Sequence, residues 1–113
     1  MDEHNSQRLL IAWFRANFPN LAGVFFAIPN GGVRDAVTAK RLKDSGVLAG
    51  VPDLLLAVPS QNKHGLFLEM KTLTGRTTAA QREAHKALEA QGYAVRVAQG
   101  YEAAKAAIQG YLA

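Results

Sequence analysis

Residues 50–71 read GVPDLLLAVPSQNKHGLFLEMK, and the fold depends on how that stretch divides. Two apolar runs, 54–58 and 66–71, flank a polar segment of turn-forming residues, the pattern of two strands joined by a hairpin through residues 59–65. Side chains alternate along a strand, so Leu66, Leu68 and Met70 share one face while Phe67, Glu69 and Lys71 share the other. A carboxylate and an ammonium therefore stand together at a strand end. Asp53 opens the first run, and the hairpin carries it back beside Glu69 and Lys71. The result is a compact cluster of two acids and a lysine.

On the N-terminal side, residues 3–17 form an amphipathic pattern, with Leu9, Leu10, Trp13, Phe14 and then Phe18 on its apolar stripe and Pro19-Asn20 as its stop. Glu3 and Gln7 are four residues apart and share a face of this helix. Glu3 either reaches a common object with Gln7 or complements the helix dipole. Residues 24–28 are continuously apolar, which predicts a central or well-buried strand. Pro29-Asn30-Gly31-Gly32 follows, either an ordinary loop or one whose glycines admit close approach of another backbone or a phosphate. Asp35 is the expected N-cap of a helix over 36–45, with Gly46 as its stop. Arg34, Lys40, Arg41 and Lys43 make this the densest basic segment of the chain.

On the C-terminal side, residues 72–78 form a polar loop containing Gly75 and Arg76. Thr78-Ala79-Ala80-Gln81 fits a capping box at the start of a helix over 79–91. Gly92 ends that helix, residues 93–98 alternate as a strand, and a last helix sets Tyr101, Ala104, Ile108 and Leu112 on one face. Strand, helix, strand in succession implies a parallel crossover. The whole is an α/β fold of order α-β-α-β-β-α-β-α, a mixed sheet flanked by helices, and residues 1–113 read as a single domain.

Composition narrows the function classes. The chain has 113 residues and no cysteine, so a disulfide framework, a thiolate metal site and a cysteine nucleophile are excluded. No apolar run approaches the roughly 18 residues of a membrane span, and the N-terminus is too polar for a signal peptide; a cytoplasmic protein with no membrane partner is expected. The net charge of +4 and pI near 9.7 suit a polyanionic partner. His4, His64 and His85 show no mutual ligand spacing and read as surface residues.

Two juxtaposed carboxylates cost on the order of several kcal/mol unless something positive answers them. A divalent cation does so through hard oxygen ligands, and Mg²⁺ needs few protein groups. The chemistry implied is phosphodiester hydrolysis, with the lysine orienting or helping to deprotonate the attacking water. The alternative is a plain salt bridge from Lys71 to Glu69 or Asp53. Asp followed much later by Glu-x-Lys is a permissive pattern that fits either.

Val51-Pro52-Asp53 with Glu69-Met70-Lys71 resembles the PD-(D/E)XK nuclease signature, and its surroundings resemble the virus-type replication-repair nuclease (VRR-NUC) branch. The resemblance spans nearly the whole chain: Glu3 and Gln7, Pro29-Asn30-Gly31-Gly32 with Arg34, Leu42-Lys43 before Gly46, residues 50–54, residues 69–71, Gln81, and Gly92-Tyr93. It implies a restriction-endonuclease-like fold and a metal-dependent endonuclease acting on DNA. Asp53, Glu69 and the Met70 carbonyl would hold Mg²⁺ or Mn²⁺, and Lys71 would assist the attacking water. Glu3 would complete or support the site, and Gln81 would orient a metal-contacting group or touch the phosphate. Asn30, Arg34, Lys40, Arg41, Lys43 and Arg76 are the expected DNA contacts. Stand-alone members resemble Holliday-junction resolvases, which implies a homodimer on branched, four-way DNA, in a bacterial or phage-infected cytoplasm. A catalytically silent DNA-binding or assembly module of the same fold is the alternative.

Overall fold

The computed structural model describes residues 1–29 and 35–113. The elements run α1 (Glu3–Asn17), a short 3-10 helix (Pro19–Val24), β1 (Phe25–Ala27), α2 (Ala36–Asp44), β2 (Leu54–Leu56), β3 (Leu66–Lys71), α3 (Ala79–Ala90), β4 (Ala94–Gln99) and α4 (Tyr101–Leu112). The four strands form one mixed sheet in the order β1-β2-β3-β4. β1 with β2 and β2 with β3 are antiparallel, while β3 with β4 is parallel. The expected order of elements is the one observed.

Helices cover both faces of the sheet. Leu66, Leu68 and Met70 point into a core shared with Leu54, Leu56 and Phe25 of the sheet, Leu10 and Phe14 of α1, and Ala104, Ile108 and Tyr111 of α4. Phe67 and Glu69 point the other way, toward α3, where Phe67 meets Tyr93 edge to face. The hairpin turns on Gln61 and Asn62, both with positive φ, between the bridged Ser60 and Lys63. It is tied to the far end of α4, since Ser60 Oγ donates to the Tyr111 carbonyl (2.6 Å) and the Tyr111 hydroxyl donates to the Val58 carbonyl (2.6 Å). That capture, with Pro59 unable to donate, ends β2 at Leu56 and not at the expected Val58.

The expectation for the first strand fails. The run 24–28 is neither central nor fully buried: Val24 belongs to the 3-10 helix, and β1 is an edge strand with Phe26 46% exposed. Only Phe25 reaches the core, against Phe14 at a ring-centroid distance of 4.6 Å. A continuous apolar run predicts cover on both faces only where helices lie on both faces, and at this edge α3 does not reach. The wide apolar surface of α1 is likewise divided, with Leu10 and Phe14 in the core, Ile11 and Trp13 packed at its margin and Leu9 exposed. Among the described residues no helix is long and apolar enough to cross a membrane.

Candidate active site

Asp53 and Glu69 meet where β2 departs from β3. The last paired residue of β2 is Leu54, opposite Leu68. One step earlier the Asp53 carboxylate replaces the missing strand partner, its Oδ2 accepting a hydrogen bond from the Met70 N–H at 2.7 Å. The Asp53 carbonyl accepts from Ile28 N at 2.7 Å, so its backbone is fixed from the β1 side as well. The segment leading into it lies against the start of α3. Gly50 has φ +88°, and a Cβ there would overlap the backbone carbonyl of Ala80. Only glycine fits both demands.

Glu69 is 2% exposed. Its carboxylate is approached from α3 by two side chains four residues apart: Gln81 Nε2 donates to Oε2 at 3.4 Å, and His85 Nε2 lies 3.4 Å from Oε1. Both are at the long end of the hydrogen-bond range. Burial, then the hydrogen bond and charge of Asp53, push the Glu69 carboxyl up to about 8; Lys71 pulls the other way and Glu3 adds to the rise. The cluster therefore resists carrying two negative charges. The His85 imidazole is held below its ordinary value by its own burial, and the charge of Lys71 acts in the same direction.

Lys71, half-buried on the same face of β3, makes no ion pair within 4.0 Å among the described residues. The salt-bridge alternative thus leaves Glu69 and Asp53 without the cation it requires. Gln81 both caps α3 and contacts Glu69. Its Oε1 accepts from Thr78 N at 2.8 Å while Thr78 Oγ1 accepts from Gln81 N at 3.1 Å, completing the capping box, and this leaves Nε2 to reach Glu69.

Asp2 is occupied as the N-cap of α1, accepting from Asn5 N at 2.7 Å, while Glu3 is exposed one residue on. Among the described residues no three His, Asp or Glu side chains gather closely enough to hold a metal ion, so Glu3 is felt by Glu69 through charge and not as part of a three-ligand cluster. The donors in hand are two carboxylates and a strand carbonyl, and this hard-oxygen set suits Mg²⁺ or Mn²⁺. Lys40, Arg41, Lys43 and Arg76 are all exposed, with Lys40 paired to Asp44 at 2.8 Å. Asn30 and Arg34 lie outside the described residues.

His85 corrects the sequence reading of a surface histidine, since it is 8% exposed and faces Glu69. Histidine-to-histidine spacing carried no signal because the partner is a glutamate on a strand. The available signal was position, because His85 is four residues after Gln81 and so on the same helix face. His4 and His64 are exposed as expected.

No curated protein matches the chain. One solved structure, described as a VRR_NUC domain protein, aligns with a TM-score of 0.88 at 28% identity, covering 99% of this chain and 88% of that one. The VRR-NUC domain model matches residues 4–102, a span that includes Asp53, Glu69, Lys71, Gln81 and His85 and begins one residue after Glu3. The chain belongs to the VRR-NUC domain family, whose fold is of nuclease type.

Proposed function

We propose that this protein is a Mg²⁺- or Mn²⁺-dependent endonuclease that hydrolyses phosphodiester bonds in branched DNA, acting as a homodimer on four-way junctions. The observation that carries the reading is the buried Glu69 beside Asp53, with the Glu69 carboxyl pushed up to about 8 and no cation paired to either acid among the described residues. Asp53, Glu69 and the Met70 carbonyl would hold the ion. When bound, it supplies a Lewis acid that offsets charge developing at the scissile phosphate.

The remaining roles belong to the protein. The Lys71 ammonium, on the Glu69 face of β3, orients the attacking water and donates hydrogen bonds to the phosphoryl oxygens as negative charge grows there. Water adds to phosphorus and gives up a proton to solvent, the ester P–O bond on the opposite side breaks, and the departing oxygen takes a proton from solvent to leave as a hydroxyl end. Gln81 holds Glu69 from α3, and Glu3 lends charge from α1. Lys40, Arg41, Lys43 and Arg76, with Asn30 and Arg34, contact phosphates without reading bases. A junction has two-fold symmetry and needs two such centres. Leu9 and Phe26, exposed on α1 and the edge strand β1, are apolar surface that a second copy would cover. Bacterial cytoplasm, in which phage proteins also act, supplies both DNA and free Mg²⁺.

Cleavage of four-way and linear DNA with Mg²⁺, with and without EDTA, tests the reading. Asp53→Ala and Glu69→Ala should each lower the rate by at least about a thousandfold, a loss of some 4 kcal/mol in transition-state stabilisation, while DNA affinity stays within about threefold. Cleavage that survives EDTA or either substitution refutes the metal centre, and DNA binding with no cleavage under any of these conditions leaves a binding module. Sedimentation equilibrium at micromolar protein tests the dimer separately.

A further inference from the structure

We infer that His85 is a positioning residue for the metal centre, its Nε2–H fixing the Glu69 carboxylate so that the remaining lone pairs face a divalent cation. The inference rests on the nuclease reading above and adds a residue that the motif resemblance did not name. A bound cation requires Glu69 to be ionised, and an ionised carboxylate only accepts hydrogen bonds, so in that state the contact between His85 Nε2 and Glu69 Oε1, 3.4 Å in this structure, is made by the tautomer protonated at Nε2. Gln81 Nε2 donates to the other oxygen at 3.4 Å. One oxygen each from two donors defines the plane of the carboxylate and prevents it from rotating about its last bond. Two further lone pairs stay available for an ion.

The donors are themselves fixed. Gln81 and His85 are four apart on α3 and therefore stack on one face. The capping box at Thr78 sets where that helix begins, and Gly50, packed without a side chain on the Ala80 carbonyl, holds the first turn against the segment that delivers Asp53. His85 is 8% exposed, so its ring has little room to leave. The geometry joins both metal-holding acids to one helical turn, and outer partners of this kind change metal affinity by about 10- to 100-fold when removed.

The test is Mn²⁺ binding to the purified full chain without DNA, followed by the loss of the free-ion signal in electron paramagnetic resonance. His85→Phe keeps the ring volume and removes the donor; the dissociation constant for Mn²⁺ should rise about tenfold or more. His85→Gln keeps an N–H at similar reach and should recover most of that loss, which a purely packing role would not. Glu69→Ala sets the floor by abolishing binding. A wild-type dissociation constant that Glu69→Ala leaves unchanged overturns the nuclease reading and this inference together. Binding lost in Glu69→Ala but within twofold of wild type in His85→Phe overturns this inference alone. So does a glutamine variant as weak as the phenylalanine variant.

Discussion

Helices α2 and α3 begin in the same way and end with different tasks. Asp35 caps α2 by accepting from Thr38 N at 2.8 Å, and Thr78 caps α3 by accepting from Gln81 N at 3.1 Å. Yet α2 buries no residue, whereas α3 buries Ala84 and His85 and lays two side chains on Glu69. The difference comes from the strands each helix joins. α3 links parallel neighbours, and a parallel connection must cross a face of the sheet. α2 links antiparallel neighbours, β1 and β2, where a simple turn would suffice, so the helix is an excursion free to face solvent. Capping chemistry fixes where a helix starts, and strand direction fixes what it can serve. α3 is tied to the acidic cluster; α2 presents Lys40, Arg41 and Lys43 to solvent, the surface proposed above for DNA.

The largest effect that would break this contrast is on DNA affinity. Replacing Lys40, Arg41 and Lys43 with glutamine should flatten the plot of log affinity against log salt by up to about 0.9 per lost phosphate contact and leave the thermal midpoint nearly unchanged. The Lys40–Asp44 pair that is lost lies fully at the surface, where such pairs contribute little. Lys86→Gln, on the exposed side of α3, removes a charge of the same kind and should not move the slope. Equal effects from the two helices would mean that DNA is gripped by overall charge and not by α2.

A pH profile sharpens the other half. α3 covers Glu69, and the native protein holds a proton there up to about pH 8, whereas its ordinary value is 4.5. Between those limits the native state binds more protons than the unfolded chain, so unfolding free energy falls as pH rises. The stabilisation is complete below about 4.5 and lost on passing about 8. Urea denaturation without added metal ion should show this decline, with a slope of at most about one proton, and Glu69→Gln should remove it. A profile that Glu69→Gln leaves unchanged would show that α3 imposes no such cost.

How far the sequence foretold these regions follows the same division. Local signals carried well: the Thr78 capping box, the Asp35 cap and the alternation of 66–71 are settled within a few residues, and each is found in place. The juxtaposition of Asp53 with Glu69 was legible because hairpin register propagates from one turn. Edge or centre was not legible for β1, since strand order depends on long-range pairing that a single run of apolar residues does not encode. His85 was misread for a related reason. Its partner is 16 residues away on a strand that contacts α3 only after the crossover is made, and no periodicity within the helix distinguishes a histidine over a carboxylate from one in water.

The smallest effect separates the helices by their caps alone. Thr78→Ala removes one half of the capping box, a loss of about 1 kcal/mol at a helix terminus. Because α3 folds with the sheet, through Ala84 and His85 in its buried face, that loss should appear in global stability, lowering the thermal midpoint by about 4 °C for a domain of this size. Asp35→Ala removes the equivalent bond, together with the Thr38 hydroxyl contact at 2.9 Å. α2 can fray without exposing any core, so its loss should be confined to faster amide exchange in 36–44, with the midpoint moving by less than ~2 °C. Calorimetry and native-state hydrogen exchange on the two variants read both outcomes. Matching drops in midpoint would mean that α2 is part of the cooperative unit, and that its surface is held as firmly as the Asp53–Glu69 cluster.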